Sequence, residues 1–297
     1  MLYDCGAKNL SKGSHPIVRH AVLAKIFFLC TNMRNNSGIS LGLSDGVGGW
    51  VDQGIDCSLF SQGLMYYAHR RLENGWAGEP EVDPIIETAS DSATVGAEVT
   101  PSEVLQFAYR DVLRDPSIEA GSSTACLLTL NASSGMLRSA NLGDSGFCIV
   151  PILTRRASSM FFSSRPQTHF FNCPRQLAKL KSIKDKATSF SDLPDTAEEY
   201  STRLKDGDVV IAYTDGLSDN IFPAEILTIC SLIMNKPDSE TTKVQMLAQS
   251  LVNHSRNCMF SDQVSPFEID ARRHRQRWQG GKIDDVTVVV ALVQETP

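Results

Sequence analysis

The feature that most constrains the fold is a repeated one: short apolar runs that end or begin at an aspartate. Ile39 to Leu43 runs into Ser44, Asp45 and Gly46, and Val47-Gly48-Gly49-Trp50 follows, so three glycines fall in four positions. Val209 to Tyr213 ends in Thr214-Asp215-Gly216, and Asp219 comes four residues after Asp215. Val286 to Val293, strongly β-branched, starts directly after Asp284-Asp285. A buried strand that ends on Asp-Gly puts a carboxylate and a bare backbone carbonyl at one rim. Hard cations favour that pairing of oxygens. Each Asp-Gly alone is only a turn signal; the repetition carries the inference. In antiparallel sheets, the exit of one strand and the entry of its neighbour lie on the same edge. Asp45, Asp215 and Asp284 can therefore converge, with Asp144 in Gly143-Asp144-Ser145-Gly146 as a fourth candidate.

The remaining segments suit such sheets. Ala125 to Leu130 predicts a strand, Asn131 to Gly135 a turn, Met136 to Leu142 the returning strand and Phe147 to Leu153 a third. This spacing indicates antiparallel sheet rather than repeated βαβ units. Helical spacing marks Asp56 to Arg71, with Leu59, Phe60, Gly63, Leu64 and Tyr67 on one side. A second helix opens at Thr100, where Pro101 and Glu103 fit a capping box, and stops before Pro116. Pro223 to Met234 and Thr241 to Asn253 are further helices. Glu79 to Thr100 is acidic and reads as a surface insertion. Arg155-Arg156-Ala157-Ser158 is a basic loop or a kinase-accessible site. Arg272, Arg273, Arg275 and Arg277 form a solvated helix face or an anion-contacting patch.

Composition sets the outer limits. The 297 residues suffice for one large domain or two small ones, and 42% hydrophobic content supports a core. A net charge of -6 argues against nucleic acid as a partner. The eight cysteines contain no CxxC pair and no zinc spacing, so they read as reduced thiols. No apolar run reaches the ~20 residues of a membrane span. Residues 1–44 hold five Lys or Arg and one acid, Asp4. Basic, acid-poor leaders are typical of mitochondrial transit peptides; the alternative is an ordinary first segment of a cytoplasmic protein.

Carboxylates clustered away from water repel and raise each other's pKa, and a divalent cation relieves this. With oxygen donors only, the implied ions are Mg²⁺ or Mn²⁺. Two such ions ~4 Å apart activate a water and clamp a phosphoryl group, which makes phosphate-ester hydrolysis the natural reaction. No EF-hand loop, P-loop, Gly-x-Ser-x-Gly or Asp-x-Asp at these strand ends offers another route.

At these residues the chain resembles the metal-dependent serine/threonine protein phosphatases of the 2C type, and most of all their mitochondrial branch in fungi and animals. The matching pieces are Leu43 to Trp50, Gly121 to Ala125, Asn141 to Gly146, Gln167 to Pro174, Thr214 to Asn220 and Gly280 to Thr287. Singly none is specific; in this order and spacing they are. The resemblance implies an α+β four-layer sandwich, two antiparallel β-sheets flanked by helices on both sides. It implies two Mg²⁺ or Mn²⁺ ions and a water activated between them that hydrolyses phosphoserine or phosphothreonine in a phosphoprotein substrate. Carried over, Asp45 bridges both ions and Gly46 gives its carbonyl, Asp215 and Asp284 hold one ion, and Asp144 and Asp219 match the ligands of a weaker third. A monomer is expected.

Two departures stand out. Many relatives place His where this chain has Val47, although the mitochondrial branch shares the Val. The family's first strands also carry a Glu-Asp pair that ligates the second ion, whereas no Glu precedes Glu73 here. The chain is therefore divided into an atypical basic leader at 1–35, transit-like or differing from the family's start, and a phosphatase domain at 36–295. A missing first strand predicts an unpaired sheet edge and a weak enzyme. The alternative is a catalytically impaired phosphatase fold that serves as a regulatory binding module.

Overall fold

The computed structural model describes residues 2–10, 25–77, 98–153, 156–157, 160–181 and 190–295. In chain order these form β1 Leu2–Leu10, β2 Ile26–Asn32, β3 Gly38–Asp45, α1 Ser58–Glu73, α2 Pro101–Arg114, β4 Gly121–Ser123, β5 Ala125–Asn131, β6 Met136–Leu142 and β7 Gly146–Leu153. Short pieces follow: β8 Arg156–Ala157, β9 Phe162–Ser163, β10 Thr168–Phe170, β11 Cys173–Pro174 and β12 Leu177–Lys179. The chain then gives β13 Glu198–Arg203, β14 Asp208–Tyr213, α3 Asp215–Ser218, α4 Pro223–Met234, α5 Glu240–Met259, α6 Pro266–Arg273 and β15 Val286–Gln294.

Two antiparallel sheets carry the fold. One runs β1-β15-β14-β7-β8, with β9 also on β7; the other runs β13-β6-β5-β3-β2. Side-chain alternation explains how they stack. In β15, Val289, Ala291 and Val293 face the other sheet, while Val286, Val288, Val290 and Leu292 face α4 and α5. In β5, Cys126, Leu128 and Leu130 point between the sheets, while Ala125 and Leu127 meet α1 and α2. Strands covered on both faces have no solvated side, which is why both read as nearly continuous apolar runs, broken only by the buried Thr129 and Thr287. The result is four layers, helix, sheet, sheet, helix, as expected. Each large side chain fully buried in these interfaces, such as Leu127 or Leu128, is worth about 1.5–3 kcal/mol.

Local chemistry sets the element ends. Thr100 Oγ1 accepts from Glu103 N at 3.3 Å and Glu103 Oε2 accepts from Thr100 N at 3.0 Å, the predicted capping box. In the β5–β6 turn, Asn131 Oδ1 accepts from the backbone N–H of Ser133 and Ser134, and Gly135 takes the left-handed conformation.

The beginning of the chain differs from expectation. β1 lies antiparallel along the whole of β15, from Leu2 opposite Gln294 to Leu10 opposite Val286, so β15 is not a bare edge. β2 pairs with β3, Ile26 opposite Asp45. Residues 79–97 of the acidic insertion, and Arg155 and Ser158 of the basic stretch, lie outside the described residues. The arginine cluster is not one helix face: α6 ends at Arg273, and Arg275 has φ +59 beyond it.

Candidate metal centre

The aspartates converge at one end of the sandwich because sheet register and three pinned loops bring them there. Asp45 is the last residue of β3. Thr124 N donates to its carbonyl at 3.0 Å and Asp45 N donates to Thr124 Oγ1 at 3.2 Å. Val47 N donates to Ser122 O, and Trp50 Nε1 donates to Ser122 Oγ at 2.6 Å. The Ser122-Ser123-Thr124 stretch is thus the clamp of the glycine-rich loop. Thr124 Oγ1 also meets Ser145 Oγ at 2.8 Å, which ties the Asp144 turn to the same clamp.

Asp215 opens α3 at the exit of β14. The next residue must be glycine, since a Cβ on Gly216 would stand 2.1 Å from Asp285 O. Asn220 closes the approach. Its Nδ2 donates to Gly216 O and Lys282 O, and its Oδ1 accepts from Lys282 N. This staple lays the segment bearing Asp284 against Asp215 and Asp219.

At the centre stands a cation that residue patterning did not single out. Lys282 Nζ lies 2.6 Å from Asp215 Oδ2, 2.7 Å from Asp219 Oδ2 and 3.2 Å from Asp284 Oδ2. These partners hold the ammonium well above the usual lysine range against the opposing cost of burial. Burial, then the charges of Asp215, Asp284 and Asp144, push Asp45 well above an ordinary carboxylate. Burial and then Asp215 and Asp219 do the same to Asp144. Burial pushes Asp219 up to about 7, with Lys282 opposing and Asp215 reinforcing. Asp45, Gly46, Asp144, Asp215, Asp284 and Lys282 border one cleft of about 270 Å³. All six sequence-selected positions therefore lie in or at this cluster.

The second overlooked residue is Lys25. It directly precedes β2, and its carbonyl accepts from Gly46 N at 3.1 Å. Its side chain borders the same cleft, with Nζ 2.7 Å from where a Gly48 Cβ would stand. A lysine thus occupies the end of the strand beside Asp45, where an acid was sought. Asp4 does not fill the role: opposite Leu292, it sits six residues along β15 from Val286, roughly 20 Å up the strand. Lys282 had a signal in sequence, two positions before Asp284. Lys25 had none until β2 was paired with β3.

The donor chemistry suits a hard divalent ion unevenly. On the Asp215 side, three carboxylates already hold one cationic group by oxygen alone, the donor set of Mg²⁺ or Mn²⁺. On the Asp45 side, the cleft is also bordered by Gly46 and by the Lys25 side chain, a cation rather than a further acid.

No family model matches the chain. Curated relatives do. It is 33% identical over 267 residues to the protein phosphatase PTC7 homolog of Xenopus laevis, covering 90% of this chain and 80% of the relative. It is 34% identical over 265 residues to the 5-azacytidine resistance protein azr1 of Schizosaccharomyces pombe, covering 89% and 80%. Among solved structures, the photosystem II phosphatase PBCP superposes with a TM-score of 0.71 at 24% identity, over 98% of this chain and 99% of that one. The catalytic domain of the serine/threonine protein phosphatase PstP, solved with two manganese ions, gives 0.56 at 15% identity over 99% of both chains. The chain belongs to the 2C-type serine/threonine protein phosphatases. Within that family, relatives sharing about a third of its residues carry the PTC7 name.

Proposed function

We propose that the chain hydrolyses phosphoserine and phosphothreonine esters in proteins with Mg²⁺ or Mn²⁺. The observation that carries this reading is the meeting of Asp215, Asp219 and Asp284 around one cationic point. Asp215 and Asp284 would hold one ion, Asp45 and the Gly46 carbonyl a second, and Asp144 with Asp219 a weaker third. When bound, such ions polarise the phosphoryl oxygens and lower the pKa of a water.

The chain's own residues supply the rest. Asp45, Asp215 and Asp284 fix the charge of the site. Asn220 and the Ser122–Thr124 clamp hold the carboxylates in place with backbone hydrogen bonds. Lys25 gives the cleft an ammonium group, which attracts a phosphate dianion in a poorly screened space. Val47 has no proton to give, so the departing serine or threonine oxygen takes its proton from water.

Phosphate release from a phosphothreonine peptide, with Mn²⁺ and with EDTA, tests the reading. Metal-dependent release that disappears in a folded Asp215→Asn variant is expected. Release at the parental rate by that variant removes the site assignment. Lys25 favours a second reading, an impaired fold that binds phosphoproteins as a regulatory module. Phosphopeptide binding without turnover at saturating Mn²⁺ would establish it.

The basic, acid-poor composition of residues 1–44 supports a mitochondrial address, although a cleaved leader would remove β1 from the sheet. Fractionation with N-terminal sequencing of the recovered chain checks both points. Among the described residues, no helix is long and apolar enough to cross a membrane.

A further inference from the structure

On the outer helix layer, three side chains of mixed chemistry point at one another. Glu225 comes from the first turn of α4; His254 and Cys258 come from α5, four residues apart and so on one helix face. His254 Nε2 is 3.0 Å from Glu225 Oε1 and 3.9 Å from Cys258 Sγ, and all three donor atoms lie within 4.8 Å of one another. We propose that Glu225, His254 and Cys258 form a binding site for a borderline divalent ion such as Zn²⁺, with a donor set unlike that of the carboxylate centre.

Three observations support a metal over the other uses of such a trio. First, the carboxylate and the sulfur both face the same ring nitrogen. In a nucleophile–base–orienter relay they would face opposite nitrogens, so convergence on a shared point is the arrangement present. Second, the 3.0 and 3.9 Å spacings from His254 Nε2 bracket those around a tetrahedral ion. Zinc bonds of about 2.0 Å to nitrogen and oxygen and 2.3 Å to sulfur place such donors roughly 3.3–3.6 Å apart. Side-chain rotations of both Glu225 and Cys258 would bring the three donors to those spacings. Third, Glu225 is already held. Its other oxygen, Oε2, accepts from Phe222 N at 2.8 Å, the kind of outer hydrogen bond that orients metal carboxylates.

Sulfur, imidazole and carboxylate together select zinc or cobalt over magnesium. The placement also bears on the phosphatase centre. Ser255, between His254 and Cys258 on α5, donates to Gly216 O at 2.6 Å, next to Asp215. An ion that clips α4 to this turn of α5 stiffens the support of that loop.

The test is a Co²⁺ titration of the full, reduced chain in excess Mg²⁺, read by thiolate-to-cobalt charge-transfer absorption in the near ultraviolet. One equivalent should saturate the band, Zn²⁺ should bleach it, and Asp215→Asn should keep it. Cys258→Ser should abolish it, and His254→Ala should weaken binding at least tenfold. A folded parent without the band overturns the site, as does a band unchanged in Cys258→Ser, which would assign it to another cysteine. Should Cys258→Ser not fold, Glu225→Gln serves: at least tenfold weaker binding with the band retained is expected, and unchanged affinity overturns the site.

Discussion

Lys282 Nζ lies 2.6 Å from Asp215 Oδ2, so the carboxylate cluster is cross-linked by a lysine from two residues before Asp284. Both side chains are nearly buried, at 12% and 13% exposure. A divalent ion held by Asp215 and Asp284 would compete with the ammonium for the same oxygens. The energetic consequences of that competition can be measured.

Replacing Lys282 by Met removes a cation and leaves three carboxylates facing each other. Breaking a buried ion pair costs about 3–5 kcal/mol. In EDTA, Lys282→Met should melt well below the parent. Saturating Mn²⁺ should recover most of the difference, so the metal-induced rise in Tm is larger in the variant. An equal rise in both proteins would show that lysine and metal do not share ligands.

Charge reversal at Lys25 should act in the opposite sense. Lys25→Glu places an acid beside Asp45 and removes a competing ammonium. Apparent Mn²⁺ affinity in the phosphatase assay should improve by roughly tenfold or more, about 1.4 kcal/mol per factor of ten. The parent should be a weak enzyme at low Mn²⁺. Full parental activity at micromolar Mn²⁺ would mean that the Asp45 side is complete without such an acid.

The raised carboxylates give the metal-free protein a pH signature. Asp219, pushed up to about 7, binds a proton in the folded state across a range where the unfolded chain has lost it. Its contribution is therefore fully present below the unfolded value of about 3.8 and is lost as pH rises through about 7. Asp45 and Asp144 shift in the same direction. In EDTA, the Tm of the parent should fall relative to Asp219→Asn as pH is raised across this window. Saturating Mn²⁺, which binds the ionised carboxylates, should remove that difference. A parallel pair of curves in EDTA would argue against protonated carboxylates in the cluster.

Gly216→Ala tests the close approach of α3 to the β15 entry. The added methyl meets Asp285 O at 2.1 Å, and the other near atoms, Asp285 C and Val286 Cα, are backbone too and leave it little room. Overpacking of this kind costs about 1–3 kcal/mol. The expected result is a lower Tm and a larger fractional loss of activity than of folded protein, because Asp215 and Asp284 are forced apart. Unchanged activity in the folded variant would separate that contact from the site.

What the amino-acid sequence determined by itself was local or periodic. Nearly continuous apolar runs announced the doubly covered strands β5 and β15. Thr100, Pro101 and Glu103 announced the start of α2, because a capping box is made within one turn of chain. Aspartates at strand ends announced a rim of carboxylates, because antiparallel exits and entries share an edge. Tertiary structure alone decided the contacts that join distant segments. Lys25 reaches the Asp45 loop only because β2 registers Ile26 opposite Asp45. Residues 2–10 cover β15 from the far end of the sequence, where composition suggested a leader. Glu225 meets His254, 29 residues on, only through the packing of α4 on α5. Periodicity fixes which face a side chain occupies, but register and helix packing fix what it meets there, and those are set by the burial of the whole core.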